Sequence, residues 1–220
     1  MRITHLGHAS LLVEVADTRI LLDPGGWSPA AQEQRDLDAV LVTHQHPDHL
    51  DQERFPDLLR ANPDALVVAD PDSATILRDK GIDVMAFGPG DTASVGAVTV
   101  QGVGEMHALI HEEIPLIHNT GMRISAEDEP TFFHPGDSLD AEPEGVEVLA
   151  FPLSAPWARS REMTAFLRRL AAPHAIPVHD ALLSTVGRTL YLTQAGNLGS
   201  KATRIHDLAG GQPEEFAAGR

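Results

Sequence analysis

The 220-residue sequence contains no cysteine. That absence excludes a disulfide framework, a thiolate zinc finger, a cysteine-ligated iron–sulfur cluster and a cysteine nucleophile. Aromatic residues are scarce (7 Phe, 2 Trp and 1 Tyr), so the core must rest on Leu, Ile, Val and Ala. Basic residues are few: 16 Lys and Arg stand against 32 Asp and Glu, a net charge of −16. Nucleic-acid binders gain affinity by pairing cations with phosphates, so this balance argues against one. No apolar run approaches the roughly 20 residues of a membrane helix. The opening Met1-Arg-Ile-Thr-His-Leu-Gly-His8 lacks the basic-then-apolar order of a secretory leader. A cytoplasmic, membrane-free protein is the expectation. What the chain does have is histidine, 12 in all. Without thiolates, any tightly held metal must take imidazole and carboxylate ligands.

The length suits a single domain with a substantial core. Apolar runs at 11–15 and 19–22, broken by Ala16-Asp17-Thr18, predict a hairpin. Residues 39–43 form a short continuous apolar run, the pattern of a strand covered on both faces. A short helix is expected over 51–60, interrupted early by Pro56. Strand, helix and strand follow at 65–69, 72–80 and 82–86. The second half repeats this order loosely, with strands at 97–103, 120–125, 131–134, 146–150 and 175–178. Met163, Phe166, Leu167 and Leu170 fall at i, i+3, i+4 and i+7, which predicts a helix over 160–171. Two halves are expected, at about 1–95 and 96–208. The Gly- and Glu-rich tail, 209–220, is expected to fray.

Four chemistry-bearing segments each follow an apolar strand and lie beside Gly or Pro. They are His44-Gln-His46-Pro-Asp48-His49, His107, Asp137 in His134-Pro-Gly-Asp137, and His179 in Pro177-Val-His179. Ligand sites gather outside strand ends in sheets covered on both faces, so these loops can converge. Three imidazoles and a carboxylate within six residues cannot all be buried without compensating partners. The milder alternative is a solvated loop in which Asp48 caps the next helix.

On these residues the sequence resembles the metallo-β-lactamase superfamily of metal-dependent hydrolases. The match runs in order and spacing from about residue 3 to 207. The opening Thr4-His-Leu-Gly-His8-Ala-Ser10, with Leu21-Leu-Asp23-Pro24, is similar to a subgroup that includes ascorbate-6-phosphate lactonase. The resemblance implies a four-layer αββα sandwich of two pseudo-symmetric halves. It also implies a two-metal site at one edge of the sheets. His44, His46 and His107 would bind one ion, Asp48, His49 and His179 the other, and Asp137 would bridge them. Zinc suits such ligands, and manganese, iron and nickel are also permitted. The implied reaction is attack by a metal-bridging hydroxide on a small ester, lactone or phosphate ester, with Asp48 orienting it and shuttling its proton.

Further residues carry two readings each. Asp23 either fixes a ligand imidazole through its other N–H or simply makes the Asp23-Pro-Gly turn. His8 serves the site or is a hydrogen-bonded core histidine. His111, four residues after His107, touches substrate or sits on a solvated loop. His134 adjoins Asp137 and is a candidate to orient it. Trp157 stacks on substrate or completes the core, the commoner fate of such a residue. Arg159 and Arg161, near a helix N-terminus, either hold an anion or pair with acidic neighbours, the commoner outcome.

Three rival functions share this fold. A nucleic-acid phosphodiesterase is opposed by the net charge. A di-iron oxidoreductase is opposed by His46, where the family's electron-transfer members have a carboxylate. A metal-binding protein without turnover is opposed by the completeness of the ligand set. Homo-oligomerisation is left open.

Overall fold

The computed structural model describes residues 1–219. Chain order runs β1 (Arg2–Gly7), β2 (Ser10–Val15), β3 (Thr18–Leu22), β4 (Ala39–Val42), α1 (Phe55–Arg60), β5 (Leu66–Ala69), α2 (Pro71–Asp79) and β6 (Met85–Ala86). It continues with β7 (Thr92–Val95), β8 (Val98–Val103), β9 (Gly121–Ser125), β10 (Phe132–His134), β11 (Val148–Pro152), α3 (Ser160–Leu170), β12 (His174–Val178), α4 (Thr185–Leu198), β13 (Arg204–Ile205) and β14 (Glu214–Glu215).

Among the described residues the strands form two seven-stranded sheets. The first has the order β14-β1-β2-β3-β4-β5-β6, the second β13-β12-β11-β10-β9-β8-β7. Both are mixed: the hairpin strands pair antiparallel, and the strands from β3 to β6 and from β10 to β13 pair parallel.

Side chains alternate across a strand, and here both sides are covered. Ala39 and Leu41 face the second sheet, where they share a core with Val100, Phe132, Val148 and Ile176. Val40 and Val42 face Phe55, Leu58 and Leu77 of α1 and α2. In the second sheet Phe132 joins the central core, while Phe133, Leu149 and Phe151 pack on Met163, Phe166 and Leu167 of α3. Three apolar layers therefore separate four layers of structure, the expected αββα sandwich.

Several expectations need correction. β1 and β7 were not expected; β7 pairs antiparallel with β8 at the edge of the second sheet. α4, the longest helix described, was missed. It buries Ala195 and leaves Val186 and Leu190 exposed, so its sequence shows no single apolar stripe. Pro56 does not interrupt α1 but stands in its first turn, where a missing N–H costs nothing.

Through residue 219 the tail does not fray, and Arg220 lies outside the described residues. β14 pairs antiparallel with β1, and Phe216 is buried in the central core. Gly210, Gly211 and Pro213 mark a turn that returns this one aromatic side chain to the sandwich. Phe216→Ala is expected to lower unfolding free energy by about 3–5 kcal/mol in a urea titration. A loss below about 1 kcal/mol would show that the segment adds little.

Candidate metal centre

Every strand that delivers a site residue does so at its carboxyl end. The loop after β4 carries His44, His46, Asp48 and His49; β8 leads to His107, β10 to Asp137 and β12 to His179. His8 and Asp23 follow β1 and β3. Three cross-sheet hydrogen bonds fasten this edge: Thr120 N–H to the Thr43 carbonyl, His179 N–H to the His8 carbonyl, and His134 Nε2–H to the Ala9 carbonyl. His8, Asp23 and His179 all have left-handed backbone, with φ of 46°, 45° and 59°. Residues with a Cβ resist that conformation, so the surrounding contacts hold it in place.

The Asp23 turn sits directly on the motif loop. A Cβ at Gly25 would lie 1.8 Å from the Asp48 carbonyl oxygen, so only glycine allows the approach. Gly136, at φ +63°, does the same beneath Asp137, where a Cβ would lie 2.2 Å from Asn119 Oδ1.

Two groups of ligand atoms result, each with all members within 4.8 Å of one another: His44, His46, His107 and Asp137 in one, and His8, Asp48, His49 and His179 in the other. His44 Nε2 and His46 Nδ1 stand 3.1 Å apart. Two nitrogens at zinc's usual bond length and the tetrahedral angle are roughly 3.3 Å apart. Asp137 links the groups, with Oδ1 3.2 Å from His49 Nε2 and Oδ2 3.1 Å from His179 Nε2 and 3.4 Å from His107 Nε2.

The outer nitrogens of three of these rings, His49, His107 and His179, are engaged. His49 Nδ1–H donates to Asp23 Oδ2 at 2.7 Å, His107 Nδ1–H to the Ala108 carbonyl and His179 Nδ1–H to the Ser154 carbonyl. Each bond fixes the tautomer and leaves the Nε2 lone pair facing inward. Those three Nε2 atoms and Asp137 Oδ1 are buried without a hydrogen-bond partner. Buried polar atoms are almost always satisfied, so four orphans facing one space fit a cation. All of them are nitrogen or carboxylate oxygen, the donor set of a hydrolytic divalent site.

Charge within the pocket points the same way. Burial drives His44 and His46 below the usual imidazole range, with neighbouring imidazoles adding to the effect. Burial also disfavours charge on His49 and His179. Asp137 outweighs it in both, with Asp23 assisting at His49 and Asp48 at His179. His49 is held well above its ordinary value and His179 at about 9. Despite burial, Asp137 is held well below the usual carboxylate range by His49 and His179. Asp48 is likewise held down against its burial, by the nearby His179 imidazole and by the hydrogen bond from His8. Protons here occupy places where a metal would compete with them.

The remaining candidates separate clearly. Asp23 accepts from Thr43 N–H, Thr43 Oγ1–H and His49, so it positions His49 as well as making the turn. His8 lies in the second group, yet both its ring nitrogens are engaged. Nδ1 accepts from Ala181 N–H, so Nε2–H donates to Asp48 Oδ2 at 3.0 Å. His134 acts on Asp137 through the backbone, accepting from Gly136 N–H while its other nitrogen holds Ala9. Trp157 is half-buried, and its indole N–H donates to Asp137 Oδ2 at 2.9 Å, so it belongs to the site and not simply to the core. His111 is exposed and accepts from Glu113 N–H, and Arg159 and Arg161 are exposed beside Glu162. None of these three lines the pocket over the ligand groups.

Sequence reasoning passed over Thr43, whose hydroxyl bridges Asp23 and His44, and Asn119, which accepts from Asp137 N–H. It also passed over Trp27, Ile110 and Leu182, which line the mouth. His5 also supports this edge, donating from Nε2 to the His8 carbonyl.

Comparison with known proteins places this geometry. A model of the Beta-lactamase superfamily domain matches residues 2–179. Protein Rv0786c of Mycobacterium tuberculosis is 41% identical over 192 residues, covering 87% of this chain and 89% of that protein. The UPF0173 metal-dependent hydrolase MK1542 of Methanopyrus kandleri is 30% identical over 206 residues, covering 81% and 84%. The metallo-β-lactamase fold protein YhfI of Bacillus subtilis shares the fold, with a TM-score of 0.74 at 15% identity over 98% of this chain and 99% of that one. Fold and relatives together define a metal-dependent hydrolase of the metallo-β-lactamase superfamily. Within it, the chain belongs to the UPF0173 metal-dependent hydrolase family. Among the described residues, no helix is long and apolar enough to cross a membrane.

Proposed function

We propose that this pocket holds two divalent ions and hydrolyses a small ester, lactone or phosphate ester, in the manner of a lactonase-like cytoplasmic enzyme. The observation that carries the reading is the set of buried, unpartnered atoms: Nε2 of His49, His107 and His179, and Oδ1 of Asp137. His44, His46 and His107 would hold one ion, Asp48, His49 and His179 the other, and Asp137 both. Zinc fits these ligands best, with manganese, iron or nickel admitted by supply. Bound there, such ions lower the pKa of water toward neutrality and polarise a carbonyl or phosphoryl oxygen.

The chain's own residues supply the rest. Asp48 keeps some side-chain exposure, 14%, at the cavity, so its carboxylate can orient an attacking water and take up its proton. His8 holds Asp48 Oδ2 in place for that task. Trp157 and Asn119 fix the side chain and backbone of Asp137. Asp23 aims His49.

Metal analysis of the purified protein is expected to find about two ions per chain, lost when His44 and His46 are both replaced by alanine. Hydrolysis across a panel of lactones, phosphomonoesters and phosphodiesters should appear for at least one class and vanish on chelation. A full metal complement in the double variant, or turnover that survives chelation, would overturn the assignment.

A further inference from the structure

We infer that the substrate of this site is an uncharged ester or lactone carrying an apolar tail, gripped by Trp27, Ile110 and Leu182. The inference rests on the hydrolytic reading above and narrows it, setting aside the phosphate esters.

The cavity over the ligand groups is about 160 Å³. A cavity of about 150 Å³ holds one benzene-sized group, so there is room for a reacting head and little else. Its floor is His46, Asp48, His107, Asp137 and His179. Its walls are Trp27, Ile110, Pro156, Trp157 and Leu182. No lysine or arginine is among these residues. The arginines that follow Trp157 and Leu182 in the chain are engaged elsewhere. Arg159 and Arg161 stand at Glu162, and Arg188 donates to Asp180 and, through two nitrogens, to Asp207. A phosphate or carboxylate group on the substrate, away from the reacting centre, would lose its water here and meet no cationic side chain. The chain's net charge of −16 opposes the approach of anions as well.

The wall also continues outward. A narrow recess shares His46, His107 and Ile110 with the cavity and adds Leu109, Ile114 and Leu116. Trp27 is 44% exposed and Leu182 60%, and Leu109, Ile114 and Leu116 are exposed too. Among the described residues, five of the nine large exposed hydrophobic side chains thus line two adjoining spaces at one mouth. Scattered singly, such residues mean nothing; gathered at a site they mark a binding surface. With room for only a head inside, the apolar part of the substrate lies along this rim. In the reaction, water oxygen bonds to the acyl carbon and the acyl C–O bond breaks. One water proton ends on the released hydroxyl, and the other leaves as the new carboxylic acid ionises.

The test uses the metal-loaded protein and γ-lactones that differ only in their side chain: none, alkyl chains of increasing length, and an alkyl chain ending in phosphate. kcat/KM should rise roughly fourfold for each methylene buried, through KM, until the chain outruns the rim. The phosphate-ended lactone should be at least about tenfold poorer than its alkyl counterpart. Leu182→Asp and Ile110→Asp should flatten the dependence on chain length. A second measurement does not need turnover. Both tryptophans of the chain line this cavity, so their fluorescence reports its occupancy. Octan-1-ol should perturb it at concentrations at least about tenfold below those needed for butan-1-ol or octyl phosphate. Metal-dependent turnover that ignores chain length, or favours the anionic lactone, overturns the inference and leaves the hydrolytic reading standing. Absence of metal-dependent turnover with every substrate overturns that reading instead, and the octanol response then decides the apolar site alone. Self-association that the two Asp variants abolish, with octanol binding unchanged, would assign the rim to a second copy of the chain and overturn the inference.

Discussion

Asp137→Ala is expected to cut hydrolysis about a thousandfold or more and to leave fewer than two ions bound per chain. Divalent ions contribute several kcal/mol of charge stabilisation to such reactions, and each 1.36 kcal/mol is tenfold in rate. Asp137 is the carboxylate whose two oxygens lie 3.1–3.4 Å from inward-facing nitrogens of His49, His107 and His179. Its removal therefore touches both ligand groups at once, whereas loss of any one histidine touches one. Asp137→Asn separates charge from shape. The amide oxygen can still accept from Trp157, but the negative charge that holds His49 and His179 above their ordinary values is gone. If charge is what the site needs, the asparagine variant falls nearly as far as alanine. Mass spectrometry under native conditions and steady-state kinetics on the same sample give the two readouts. Two ions and undiminished turnover in Asp137→Asn would remove Asp137 from the centre of the mechanism.

Asp23→Ala should act on stability as strongly as on activity. The Asp23 side chain has no solvent exposure and accepts from three buried donors: Thr43 N–H, Thr43 Oγ1–H and His49 Nδ1–H. Each donor left without a partner costs about 1–3 kcal/mol, so the metal-free variant should lose roughly 3 kcal/mol or more in a urea titration. With its tautomer no longer fixed, His49 can present an N–H to the pocket, and metal affinity should fall about 10–100-fold. Asp23→Asn keeps the shape and one acceptor, so it should recover much of the stability and little of the affinity. An alanine variant within about 1 kcal/mol of the parent would mean that water has replaced the carboxylate.

The ligand-bearing segments were legible because physics wrote them locally. A strand buried on both faces reads as an unbroken apolar run, and residues 39–43 lead straight into His44-Gln-His46-Pro-Asp48-His49. Gly136, Pro135 and Pro177 marked the other strand ends in the same way. Where the rules were mixed, the reading failed. β1 buries only Ile3 and His5, and the histidine hid the strand. α4 has its exposed Val186 and Leu190 opposite its buried Ala195, so no single period dominates. The tail has one core residue, Phe216, among glycines and glutamates. The pocket mouth was illegible for another reason: Trp27, Ile110 and Leu182 come from loops far apart in sequence, and only folding makes them neighbours. Arg159 looked like an anion contact because the helix N-terminus was visible, while its pairing with Glu162 and its absence from the pocket lining were not.

The unpartnered nitrogens and carboxylate oxygen of the pocket also bear on how long the protein lasts. A group buried without a partner destabilises the native state, and an ion that satisfies it only in that state does the reverse. Binding at 100 times the dissociation constant adds about 2.7 kcal/mol for one site. Differences of 1–2 kcal/mol already change steady-state abundance several-fold, through proteolysis of unfolded chains. Metal starvation would thus lower the number of these molecules in a cell as well as the activity of each. Supply of the ion would set the lifetime of the protein built to hold it.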